Sequence, residues 1–211
     1  MSLVELIAQA DARGLAASGL ACMDRCLPLL GGDDELLRPL WASLADGSDW
    51  GGSLEKARAA LGSAVDVGSA RSARSAASGS AGDAGSGSPR AAGDEAARLA
   101  RRMLDAAPAE WTADAVRPWA DACSAASLRI HRLLDPAADA ATDPGAAPAG
   151  DTADLSPLVA AELRRQTAVL ELLAGHGVNG LRGALEVSVE GRRVLRAVVS
   201  RRARGATGPG S

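Results

Sequence analysis

The stretch LEVSVEGRRVLRAVV, residues 185–199, decides between two fold classes. Read as an alternation it is a hairpin, with Leu185, Val187 and Val189 on one face and Gly191 in the turn. Read at about 100° per residue from Leu181 it is a helix. Its inner side then collects Ala184, Leu185, Val187, Ser188, Gly191, Val194, Leu195, Val198 and Val199. Arg182, Glu186, Glu190, Arg193, Arg196 and Ser200 fall on the outer side, and only Val189 and Arg192 are out of place. A lone two-stranded ribbon would have nothing to pack on. The helical reading therefore stands, from Asn179 to Arg202, and makes the chain all-α.

Composition points the same way. The 211 residues contain neither Phe nor Tyr, and the large core formers are Leu, Val, Ile and four Trp, diluted by many Ala. Close helix packing tolerates such a mixture, whereas sheets draw on aromatic and β-branched pairs. Arg replaces Lys everywhere except Lys56, which together with the Ala and Gly excess indicates a bacterial, GC-rich genome. The N-terminus carries Glu5 and Asp11 within its apolar run and no basic stretch, so it reads neither as a secretory signal nor as a membrane span. Three cysteines, an odd number, suit a reduced compartment better than a disulfide framework. The expected location is the cytoplasm, with no membrane association.

Two segments offer almost nothing to bury and read as disordered linkers, residues 66–93 and 136–155. They separate three helical blocks, 1–65, 94–135 and 156–204, which are expected to pack as one domain, followed by a disordered tail over 205–211. Block one opens on Ser2-Leu3-Val4-Glu5, a capping box, and its first helix should run to Leu27. Asp33 or Asp34 caps a second helix with Leu37, Leu40, Trp41 and Leu44 in helical register, Pro39 marking a kink or restart, and an end at Gly47. Ser53 caps a third helix. Block two contains a helix from Asp94 to Ala107 and another whose seam is Trp111, Ala115, Trp119, Ala122, Ala126, Ile130 and Leu133, surviving past Pro118. Block three starts at Ser156-Pro157 and runs through Val159, Leu163, Leu170 and Leu173 to Gly175 or Gly177. The whole is an Ala-rich bundle of about six or seven helices.

The most motif-like feature is Trp50-Gly51-Gly52, where the glycines are expected to permit a turn while Trp50 packs back on the bundle. It resembles the Trp-x-Gly turn of the WxG family, whose members place it between two long helices and carry a Tyr-based export signal after the second. Here the preceding helix is short and contains Pro39, the following one is brief, and the chain has no Tyr. A WxG-like secreted protein is accordingly a distant alternative. The stretch CMDRCLPLL from Cys22 is similar, over that short length only, to helical-repeat bacterial immunity factors, a likeness that carries no functional side chain.

No catalytic constellation, cofactor motif or phosphate loop is present. Cys22 and Cys26 share a helix face, and Cys123 with His131 could complete a four-ligand zinc set, but the spacing is not that of a zinc finger and cysteines of this kind usually fill cores. His131, flanked by Arg129 and Arg132, is expected to face water. His176, in AGHGVNG, reads as a residue at a helix C-terminus favoured by the dipole. The first 65 residues carry nine acidic and five basic side chains, whereas residues 156–211 carry four Glu and nine Arg. Arg192, Arg193, Arg196, Arg201, Arg202 and Arg204 could grip phosphates or dock on the acidic first block. Ala184, Ser188 and Gly191 form a small-residue strip that would admit a partner helix. The leading expectation is a non-catalytic helical interaction or regulatory protein with a protein partner or a second copy of itself; the alternative is a nucleic-acid-associated protein.

Overall fold

The computed structural model describes residues 2–62, 89–135 and 155–205. Among them every regular element is helical, with no strand. The elements are α1 (Leu3–Gln9), α2 (Ala12–Cys26), a 3-10 turn (Leu27–Leu29), α3 (Arg38–Asp46), α4 (residues 50–62), α5 (Pro89–Asp105), α6 (Ala113–Leu133), α7 (Pro157–His176), a 3-10 turn (Gly177–Asn179) and α8 (Gly180–Gly205). The linkers expected over 66–93 and 136–155 lie outside the described residues, except that 89–93 belong to α5 and Leu155 leads into α7. Pro89 suits a first helical position, where no backbone N–H is needed, and Ala91-Ala92 extend the helix inward. Of the expected tail, Gly205 ends α8 and the rest lies outside the described residues.

Residues 185–199 are helical throughout. Leu181, Ala184, Ser188, Gly191 and Leu195 form the buried line at steps of three and four, and Arg182, Glu186, Glu190, Arg193 and Arg196 are exposed. Arg192, which the pattern leaves on the wrong side, is indeed buried.

The first helix is two helices. Ala10 is extended (φ −67°, ψ 140°), and the Asp11 carboxylate accepts the Gly14 N–H at 2.7 Å, capping α2. An Asp cap without a Gly or Pro breaker leaves little trace in the sequence. The capping box at Ser2 and Glu5 is present on α1. Asp33 caps only a turn, accepting the Glu35 N–H, and α3 starts at Arg38 with Pro39 in its first turn. It closes on Gly47 in the left-handed region (φ 75°).

Trp50 opens α4 instead of lying in a turn. Asp49, not Ser53, provides the cap, its carboxylate accepting the Gly52 N–H at 2.8 Å. Neither Gly51 nor Gly52 has positive φ. Gly52 leaves room for the cap: a Cβ there would lie 2.1 Å from the Asp49 carboxylate as it stands and would displace it. Trp50 is buried edge-to-face on Trp119, with ring centroids 6.3 Å apart, and donates its Nε1–H to the Pro108 carbonyl at 2.8 Å.

Helix α2 is the centre of the structure. It is buried continuously from Gly14 to Cys26 and packs on α6, α7 and α8. Helices enclosed on all sides are ordinarily apolar, yet this one carries Asp24 and Arg25, both buried. Arginines from neighbouring helices also satisfy free carbonyls at helix ends. Arg117 donates to Ile7 and Ala10 at the end of α1, Arg58 to Leu104, Asp105 and Ala107 at the end of α5, and Arg101 to Leu61 near the end of α4.

Candidate functional site

Two places in the structure have the chemistry a site requires: a buried polar cluster around α2 and a cleft at one end of the bundle. The cluster is built on Arg25 and Glu162, whose side chains are both 0% exposed. Arg25 Nε donates to both carboxylate oxygens of Glu162, at 3.1 and 2.8 Å, and Nη2 donates to Oε1 at 2.7 Å. Glu162 Oε1 also accepts from Ser127 Oγ at 2.7 Å and from Gln166 Nε2 at 2.9 Å, while Gln166 Oε1 accepts from Ser124 Oγ at 2.7 Å. Helices α2, α6 and α7 are thus joined through one carboxylate. The planar fork of arginine suits this two-oxygen grip. Burial opposes the charge on Glu162, but the Arg25 guanidinium and the surrounding charge and hydrogen bonds of His131, Arg25 and Gln166 together outweigh it and hold the carboxyl down at about 2.

His131 belongs to this cluster and does not face water. It is fully buried, its Nδ1 donates to the Ser127 carbonyl at 2.8 Å, and its Nε2 lies 3.5 Å from Glu162 Oε2. Burial lowers its pKa against the pull of Glu162. The buried face of α6 is Val116, Trp119, Ala120, Cys123, Ser124, Ser127, Ile130 and His131, whereas Ala122 of the expected seam is exposed. Apolarity alone ranks Ala above Ser and His; here the polar residues go inside because α7 presents Glu162 and Gln166 to them.

A second buried pair joins α2 to α8. Asp24 accepts from Arg192 Nη1 at 2.8 Å and from Trp41 Nε1 at 3.0 Å. Burial raises the Asp24 pKa, opposed by Arg192. Arg192 Nη1 also donates to the Asp34 carbonyl at 2.8 Å, and Arg196 grips the Asp34 carboxylate with both terminal nitrogens. Of the six arginines marked from the sequence, Arg192 and Arg196 therefore dock on the acidic first block. Arg193, Arg201 and Arg204 are exposed and Arg202 is half-buried. Ala184, Ser188 and Gly191 are all buried within the chain, with the space beside Gly191 taken by Arg25 of α2. The strip does receive a helix, but one of the same chain.

Cys22, Cys26 and Cys123 are buried and unpaired. Burial pushes the Cys22 thiol up to about 12, so it is a poor nucleophile and a poor metal ligand as it stands. No group of three or more His, Cys, Asp or Glu positioned for a metal occurs among the described residues. His176 is exposed, with Nδ1 donating to the Leu172 carbonyl at 3.2 Å near the end of α7.

The cluster carries a pH dependence whose sign follows from these directions. Glu162 binds its proton less readily folded than unfolded, so its contribution is complete above about 4.5 and is lost as pH falls towards 2. His131, held neutral by burial, charges first in the unfolded chain, so stability also declines as pH falls below 6.5. Asp24, shifted up, works the other way, favouring the fold below the ordinary aspartate value of 3.8 and losing that contribution as pH rises. With two groups against one, denaturation followed by circular dichroism should show stability falling from pH 6.5 towards 2. Glu162→Gln should flatten the lower part of that curve.

The cleft lies between the end of α1, the start of α2, the end of α7 and the turn after it, with a volume of about 380 Å³. Leu6, Leu170, Leu173 and Val178 give it apolar walls, and Asp11 and Arg13 also line it. No helix among the described residues is long and apolar enough to cross a membrane. No family model matches the chain, and no curated protein and no solved structure is significantly similar to it.

Proposed function

We propose that this chain is a non-catalytic helical interaction or regulatory protein of the bacterial cytoplasm, engaging another protein or a second copy of itself. The observation that carries the reading is where the reactive groups lie. Arg25, Glu162, His131, Asp24 and the three cysteines are buried, with Arg25 bonded to Glu162 and Asp24 to Arg192 across helices. Such groups shape a fold and present nothing to a substrate. What meets solvent is surface, and Val4 on α1 is 76% exposed, on the opposite side of that helix from buried Leu6.

Light scattering over a range of protein concentrations tests this. The reading expects a mass above the 21.2 kDa of one chain, or a complex with a co-expressed neighbour, and expects Val4→Asp to weaken that association. A monomer at every concentration that binds no neighbour contradicts it.

The nucleic-acid reading is favoured by one observation, the exposed Arg193, Arg201 and Arg204 along α8. Phosphate binding of that kind is strongest at low salt. A gel-shift assay with duplex DNA and RNA that shows no shift there removes it.

A further inference from the structure

The cleft at the α1–α7 end has an uneven polar lining. Its carboxylate is already engaged, since Asp11 Oδ1 accepts the Gly14 N–H at 2.7 Å. Its cation is not. The Arg13 guanidinium carbon sits over the Trp111 ring, 5.6 Å from the centroid, and Arg13 Nε is buried with no hydrogen-bond partner among the described residues. Nε is closed off, but the terminal nitrogens are not among the buried atoms, so an acceptor entering the cleft can meet them with a charge-assisted hydrogen bond. Around it the walls combine hydrocarbon from Leu6, Leu170 and Leu173 with polar surface that includes Gln9, and Val178 at the turn is 40% exposed. Val178 and Val4 are the large apolar side chains most open to water among the described residues.

A cleft whose surface is part hydrocarbon and part polar, with one guanidinium on its lining, suits a ligand with a short hydrocarbon body and a carboxylate head. The volume, about 380 Å³, falls near the small end of small-molecule sites, which run from about 300 to 1,000 Å³. That size suits a single short chain more than a helix of a partner protein. We propose that this cleft binds a small aliphatic carboxylate, its chain against Leu6, Leu170, Leu173 and Val178 and its head on Arg13. The site is separate from the outward face of α1, so it can hold whether or not the chain has a protein partner.

Titration calorimetry on the full chain with butanoate, hexanoate and octanoate tests it, with octylammonium and octanol as probes of the head group. Each added methylene should tighten binding about fourfold until the cleft is full, the free-energy equivalent being about 0.8 kcal/mol. Octylammonium should bind at least tenfold more weakly than octanoate. Arg13→Gln should weaken octanoate about tenfold or more, the loss of a charge-assisted hydrogen bond. Asp11→Asn, which keeps a capping oxygen while removing a like charge, should tighten it. The head-group series uses the unaltered protein, so it decides the matter even if a variant fails to fold. No binding of octanoate, equal binding of octanoate and octylammonium, or affinity independent of chain length would overturn the proposal.

Discussion

Replacing Glu162 by alanine should lower the unfolding free energy by about 3–5 kcal/mol, the usual consequence of removing one partner of a buried ion pair. The loss arises less from the attraction forgone than from what stays behind. Arg25 keeps its charge at 0% exposure, and Ser127 and Gln166 lose the oxygen they donate to. The double variant Arg25→Met, Glu162→Leu leaves no orphaned charge and should recover most of the loss, since hydrophobic replacement of a buried pair is often neutral. Urea denaturation of wild type, single and double variants measures both effects. A Glu162→Ala protein as stable as wild type would mean that the pair is open to water.

Gly191→Ala should also destabilise, against the rule for helices. Alanine in place of glycine inside a helix ordinarily gains roughly 1 kcal/mol. At this position the added Cβ would lie 2.3 Å from Arg25 Cδ and 2.9 Å from its Cγ. Those atoms cannot swing aside, because Glu162 holds the end of the same side chain. Overpacking of this kind costs about 1–3 kcal/mol, enough to reverse the sign. Gly93 offers the contrast, since nothing lies within 4 Å of its Cβ position and its backbone is helical. Gly93→Ala should raise the denaturation midpoint, and a fall there would contradict the extension of α5 back to Pro89. If both substitutions stabilise, α8 does not approach α2 as described.

The fold class was legible because periodicity and punctuation agree. Leu181, Ala184, Ser188, Gly191 and Leu195 step at helical intervals, and Gly47 and Gly177 end helices in conformations that glycine adopts readily. Breaks made by side chains were harder to read. Asp11 and Asp49 cap helices inside stretches that look continuous or loop-like, and an aspartate is as common on a surface as at a cap.

The interior cluster was the least legible part. His131 sits between two arginines, the usual mark of an outer face, and nothing near it in sequence announces Glu162 thirty-one residues later. Its burial depends on three helices meeting, which local patterns do not encode. One signal was present: Glu162 and Gln166 keep helical step with Val159, Val169 and Leu173, so reading polar residues in register with apolar ones would have placed them inside. Arg192 gave the same kind of warning, as the charged residue out of place on an otherwise consistent face.

Buried charge contacts through α2 are expected to bind the N-terminal, central and C-terminal helices into one cooperative body. Native-state hydrogen exchange on the full chain tests it most directly, read at the slowest amides of α2, α6, α7 and α8 across sub-denaturing urea. All four helices should share one opening free energy and one urea dependence. Opening of α7 and α8 at a distinctly lower free energy, while α2 and α6 stay protected, would contradict it.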